Sequence, residues 1–123
     1  MPTMGGRPQR ERIYALGVEP DIIADPGSGG AIDTSRSGIV EITTAGAEAR
    51  TLADPTFRGQ RLTIVMVADG GDATITASSP INQAGNTIIT MGDVGDFWEG
   101  VGKYNATDGW EWHTVDSEGS SLS

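Results

Sequence analysis

The sequence RLTIVMVADGGDATITA, residues 61–77, decides the fold of this chain. Its two arms, 61–67 and 73–77, are rich in strand-forming side chains, and Asp-Gly-Gly-Asp at 69–72 separates them. A Gly-Gly pair accepts the positive φ angles that tight hairpin turns require. The stretch therefore predicts a β-hairpin.

The first arm of this predicted hairpin is apolar on both faces. Leu62, Ile64 and Met66 alternate along one face, and Val65 and Val67 lie on the other. Apolar residues on both faces are typical of a strand that is covered on two sides or lies at a subunit contact. Val65 and Val67 are therefore candidate subunit-contact residues.

Further short strands are predicted on both sides of the hairpin, between turn residues. They lie at residues 39–44, 50–53, 87–91, 97–101 and 110–115. About seven short strands at regular spacing predict an all-β fold, a compact antiparallel sandwich or barrel. We place this β-domain at residues 38–116.

The two ends of the chain lack this pattern. Residues 1–37 contain four of the six prolines and the segment Pro-Gly-Ser-Gly-Gly at 26–30, which predicts an extended N-terminal arm and linker. Residues 117–123 are polar and predict a flexible C-terminal tail.

Composition narrows the classes of function. The 123 residues suffice for one domain, and the net charge of −9 disfavours nucleic acid as a partner. No apolar run reaches the length of a membrane span or a signal-peptide core, so we expect no membrane partner and synthesis in the cytoplasm. Cysteine is absent, which excludes disulfides and cysteine-based metal sites.

Histidine and cysteine, which commonly act as general acids, bases or nucleophiles, are scarce or absent, and we predict that the protein is not an enzyme. His113 is the sole histidine, and no cysteine nucleophile exists. Asp93, Asp96 and Glu99 lie close in sequence and keep a two-carboxylate glycosidase as a remote alternative. Their spacing does not match a dedicated calcium loop, so we predict neither a metal nor another cofactor.

Three tryptophans stand out in a chain with two Phe and two Tyr. Trp110 and Trp112 fall on the same face of a predicted strand, where an aromatic pair can stack on a sugar ring or anchor a protein contact. Trp98 is a third candidate for such an aromatic contact. Packing in a core with few other large side chains explains all three equally well.

A series of short motifs follows in order from Leu52 to Trp112. They are LADP, GQRLTI, GGDATIT, GNTIITM, VGDF and DGWEW. This ordered series resembles the β-rich modules of bacteriophage virion proteins, in particular capsid decoration (cement) proteins. The resemblance implies a homotrimer on the capsid exterior that binds the major capsid protein through an extended terminal arm.

The arm offers two kinds of side chain for such binding. Cationic groups would pair with acids of the capsid, and apolar groups would fill its grooves. The candidate capsid-binding residues are Arg7, Arg10, Arg12, Ile13, Tyr14, Leu16, Ile22 and Ile23. The alternative function is a tail-fibre or receptor-binding module that recognises host glycan through the tryptophans.

Overall fold

The computed structural model describes residues 21–83 and 85–123, which form ten strands in two five-stranded sheets. The first sheet has the order β1 (Ile22–Ile23), β3 (Gly38–Thr43), β5 (Arg61–Ala68), β8 (Phe97–Asn105) and β9 (Gly109–Glu118). The second has the order β10 (Ser121–Leu122), β7 (Ile88–Met91), β6 (Ala73–Ala77), β4 (Glu48–Leu52) and β2 (Ala31–Ile32). The predicted all-β class is confirmed, and of the two predicted forms the described residues make the sandwich.

One hydrophobic core joins the two sheets. It is built by the alternate side chains that each strand turns inward, as the period of two in the sequence requires. In β5 these are Leu62, Ile64 and Met66, all without exposed surface. The rings of Trp98 and Trp112 meet edge to face in this core, with their centroids 6.2 Å apart.

The sheets are mixed rather than antiparallel, because the chain crosses from one sheet to the other after each of its first five strands. β1, β3 and β5 are parallel neighbours, and so are β2, β4 and β6. Each successive pair of strands therefore forms one coil of a short stack: β1 with β2, β3 with β4, and β5 with β6. Stacking places equivalent side chains above one another, as when Ile23 lies opposite Val40 and Val40 opposite Ile64. Apolar ladders of this kind are typical of solenoid proteins.

The predicted hairpin at residues 61–77 is wrong for the same reason. Its two arms are β5 and β6, which lie in different sheets and are not paired with each other. The Asp69–Asp72 turn instead carries the chain across the sandwich and packs on the equivalent turn between β3 and β4. Thr44 ties the two turns together, because its hydroxyl donates to the Gly71 carbonyl at 2.7 Å and accepts the Gly70 N–H at 3.1 Å.

The antiparallel half of the sandwich follows the third coil. β6 pairs with β7 in the second sheet, and β8 forms a long hairpin with β9 in the first. The Asn82 side chain covers the outer edge of β9, since its Oδ1 accepts the Thr114 N–H at 2.6 Å. In the part of the chain that the structure describes, no helix is long and apolar enough to cross a membrane.

Both predicted ends contain strands. Within the predicted arm, β1 and β2 place Ile23 and Ile32 in the core. Within the predicted tail, β10 pairs with β7, and Leu122 packs against the core. None of these three strands was predicted, because a two-residue strand is too short to show a period.

Candidate functional site

Two of the three candidate tryptophans are core residues rather than contact residues. Trp98 and Trp112 are 0% and 1% exposed. The indole N–H of Trp98 donates to Thr114 Oγ1, and that of Trp112 to the Ala53 carbonyl, both at 2.9 Å. With its polar atom satisfied and its ring enclosed, neither side chain can reach a ligand, and the prediction of an aromatic contact is wrong for both.

Trp110 has a different position, at the end of the β8–β9 hairpin. Its ring meets the ring of Tyr104, which lies opposite it on β8, with the centroids 5.2 Å apart. The guanidinium carbon of Arg58 lies 5.2 Å from the Tyr104 centroid and 5.7 Å from the Trp110 centroid. Both distances are within the range of cation–π attraction. We call these three side chains the aromatic shelf.

The local sequence explains how the hairpin presents the two rings. Asn105 Oδ1 accepts the N–H groups of Thr107 and Asp108 at 3.0 and 2.7 Å, which closes the turn. Gly109 then takes a φ of 79°, which a residue with a Cβ adopts only with strain. The two strands leave this turn in register, so that Tyr104 and Trp110 lie side by side.

The loop that precedes β5 brings Arg58 to the hairpin. Gly59 donates its N–H to the Gly102 carbonyl at 2.9 Å, and Gly102 donates to the Gln60 carbonyl at 2.8 Å. The side chain of Gln60 is buried and donates to the Thr34 carbonyl at 2.8 Å. The loop is thus fixed to β8 at one point and to the segment after β2 at another, which positions Arg58 over the rings.

A shallow cavity of ≈ 370 Å³ adjoins the shelf. It is lined by Arg58, Gly59, Val101, Gly102, Lys103 and Tyr104. Its volume lies within the range of small-ligand sites, roughly 300–1,000 Å³. Gly59 leaves exposed backbone in the lining, while Arg58 and Lys103 contribute positive charge.

These two cations differ from the other cations that the structure describes. Arg36, Arg50 and Arg61 each lie within 4.0 Å of a carboxylate. Within residues 21–83 and 85–123, no carboxylate lies at that distance from Arg58 or Lys103. The chain carries 17 acidic residues against eight basic ones, so two unpaired cations beside one cavity are an unusual local excess of positive charge.

Most of the predicted capsid-binding residues lie outside the described residues: Arg7, Arg10, Arg12, Ile13, Tyr14 and Leu16. The other two are described. Ile23 is 1% exposed in the core, so its predicted contact with a capsid is wrong, whereas Ile22 is 52% exposed. The predicted subunit-contact residues both point away from the core: Val65 is half-buried and Val67 is 42% exposed.

Two of the three candidate carboxylates, Asp96 and Glu99, have structural partners. Asp96 Oδ2 accepts the N–H groups of Gly92 and Asp93, each at 2.9 Å, and Glu99 lies 3.4 Å from Arg61. His113 contacts Glu111 at 3.0 Å. Among the described residues, no three His, Cys, Asp or Glu side chains are grouped so that they could hold a metal ion.

Trp110 was predicted from the sequence as a contact residue, but Arg58, Lys103 and Tyr104 were not. A signal for Tyr104 exists, since it and Trp110 lie at equal distances from the centre of the Asn105–Gly109 turn. Arg58 carries no comparable signal, because its approach depends on contacts that are distant in sequence. A scan against models of known protein families found no match to this chain, and neither did a search of curated proteins.

Proposed function

We propose that the protein is a bacteriophage capsid decoration protein, which binds the outer surface of the shell as a homotrimer and stabilises it. The resemblance of residues 52–112 to phage virion modules suggests this class. The main structural observation that supports this proposal is the position of the first coil. Its strands β1 and β2 are the outermost strands of their sheets at one end of the sandwich, next to residues 1–20 in the chain.

This end of the molecule is suited to bind another protein. Each of β1 and β2 has a strand neighbour on one side only within the described residues, so backbone groups remain that can pair with another chain. Ile22 adds an exposed apolar side chain there. In the proposed complex, residues 1–20 and the first coil lie together along the major capsid protein.

Cosedimentation with purified phage shells tests this proposal. Full-length protein should pellet with shells, whereas a variant lacking residues 1–20 should remain in the supernatant. The deletion ends at residue 20 because β1 follows immediately and contributes Ile23 to the core. Arg7→Glu/Arg10→Glu/Arg12→Glu should weaken pelleting, while Lys103→Gln, which removes an exposed charge from β8 in the opposite half of the first sheet, should not. Equal pelleting by the full-length protein and the deletion variant would disprove binding through the arm.

The outer face of the first sheet supports a subunit contact in the proposed trimer. Ile39, Val65, Val67 and Phe97 point outward there, each half-buried or exposed. Exposed apolar groups that lie together mark interaction surfaces in soluble proteins. By contrast, the outward residues of β6 in the second sheet are Thr74 and Thr76.

Light scattering tests the trimer directly. The full chain should show about three times the mass of the 12.8 kDa protomer. Val67→Glu should shift the mass towards that of the monomer, because it places a charge in the contact. Thr76→Glu introduces the same charge on the other sheet and should leave the trimer intact. A monomeric wild-type protein, or equal effects of both substitutions, would contradict the proposed contact.

The glycan-binding alternative loses much of its support. It depended on three tryptophans, and Trp98 and Trp112 are enclosed in the core. Trp110 alone remains at the surface, half-buried, as part of the aromatic shelf. A tail-fibre function is therefore not proposed.

A further inference from the structure

The aromatic shelf holds an arginine whose guanidinium has no hydrogen-bond partner within residues 21–83 and 85–123. Arg58 is exposed, and its guanidinium donates no hydrogen bond to another described residue. Contact with the two rings restricts the position of the side chain before any ligand arrives. An arginine that is already ordered loses less entropy when its planar fork binds a carboxylate.

Lys103 adds a second cation to the lining of the cavity. It is exposed, it follows Gly102 on β8, and no carboxylate of the described residues lies within 4.0 Å of it. The rest of the lining is backbone and apolar surface, from Gly59, Gly102, Val101 and Tyr104. The cavity thus combines two cations with an uncharged floor.

The charges and surface of the cavity favour one class of ligand. The two cations attract an anionic group, and the planar guanidinium favours a carboxylate that it can bind through two parallel hydrogen bonds. The apolar surface of Val101 and Tyr104 can pack against the C–H face of a sugar ring. The volume of ≈ 370 Å³ is sufficient for a single sugar ring.

We propose that the cavity beside the aromatic shelf binds a carboxylate-bearing sugar residue, with Arg58 and Lys103 on the carboxylate and Tyr104 against the ring. An acidic peptide shares the carboxylate but not the compact ring, and it fits the uncharged floor less well. This site lies apart from the first coil and does not depend on capsid binding. Its function would add recognition of an acidic saccharide to a structural virion protein.

Nuclear magnetic resonance of the ¹⁵N-labelled full chain provides the test, since the three indole N–H groups report on different places. The probes are methyl glucuronide, the neutral methyl glucoside and a triglutamate peptide. The glucuronide should shift the Trp110 indole signal and leave those of Trp98 and Trp112 in place, because the latter are hydrogen-bonded inside the core. The glucoside should bind at least about tenfold more weakly.

Substitutions of the lining residues test whether the glucuronide binds in the cavity. Arg58→Ala should weaken glucuronide binding about tenfold or more, and Arg58→Lys should restore only part of it, because lysine lacks the planar fork. Lys103→Ala should have a smaller effect. Arg36→Gln removes the same charge elsewhere on the surface and should change nothing.

Three results would overturn the proposal. The first is an absence of any Trp110 shift with the glucuronide up to tens of millimolar. The second is equal affinity for the glucuronide and the glucoside, or for wild type and Arg58→Ala. The third is tighter binding of triglutamate than of the glucuronide, which would assign the site to acidic peptides instead.

Discussion

Arg50 has no exposed side-chain surface and binds two carboxylates across the first two coils. Its Nε and Nη2 donate to Asp25 at 2.7 and 3.0 Å, and Nη2 lies 3.1 Å from Glu48. Removing one partner of a buried ion pair leaves the others desolvated and uncompensated. We therefore expect Arg50→Ala to lower the free energy of unfolding by about 3 kcal/mol. The exposed pair of Arg61 and Glu99 is the control, and Arg61→Ala should cost less than about 1 kcal/mol in the same urea titration. Similar losses in the two variants would contradict this ranking.

The same network predicts how stability depends on pH. Burial acts to raise the pKa of Asp25, but hydrogen bonds from Arg50, Thr43 and Gly27 outweigh it and lower that pKa below 3.8. The Ala45 N–H, with help from Arg50, lowers the pKa of Glu48 below 4.5. A carboxylate with a lowered pKa stabilises the folded state above its unfolded pKa and loses this effect as the pH falls. The melting temperature should therefore decline below about pH 4.5, and Arg50→Met should show a shallower decline. Parallel pH profiles would disprove the assignment to this network.

The stacked turns between coils depend on the absence of side chains at Gly70 and Gly71. A Cβ at Gly71 would lie 2.6 Å from the backbone nitrogen of Ala47, in the turn that packs on it. Backbone atoms cannot move aside as a flexible side chain can, so the added Cβ forces the two turns apart. Gly71→Ala should therefore destabilise the fold by about 2 kcal/mol. Gly46 belongs to the same stack, yet a Cβ there would meet nothing within 4 Å, and Gly46→Ala should be nearly neutral. Thermal unfolding of both variants checks the difference. If Gly46→Ala costs as much as Gly71→Ala, close packing of the turns is not the cause.

At the scale of secondary-structure elements, the positions of the strands could be predicted from the sequence better than the pairing between them. The alternation of Leu62, Ile64 and Met66 correctly indicated a strand with one buried face, since alternation is a local property. Pairing is not local. Asp-Gly-Gly-Asp is suited to a hairpin and equally to a turn that crosses between sheets, and Thr44, which lies 26 residues before Gly70, helps to hold the second arrangement. Nothing within residues 61–77 distinguishes the two.

Across the whole molecule, the candidate site was predictable only where it depends on a single hairpin. Trp110 was found because it lies in a strand beside an Asp-Gly turn. Arg58 was not, because its position requires Gln60 to reach the Thr34 carbonyl and Gly59 to bind Gly102. Trp98 and Trp112 were ambiguous because sequence alternation shows which residues share a face but not which face is covered. The inner face is covered by a second sheet, whose strands alternate with those of the first sheet from β1 to β6.

The position of the first coil determines where the folded domain begins in the sequence. Truncation at residue 37, the predicted end of the arm, removes Ile23 and Ile32 from the core and Asp25 from Arg50. Burial of each isoleucine contributes about 2 kcal/mol, and the lost ion-pair partner adds about 3 kcal/mol. A loss of this size is comparable to the whole stability of a small domain, roughly 5–15 kcal/mol. We therefore expect the protein lacking residues 1–37 to be unfolded or aggregated, and the protein lacking residues 1–20 to keep a cooperative thermal transition by circular dichroism. A cooperative transition of unchanged midpoint after truncation at residue 37 would show that the first coil is dispensable for folding.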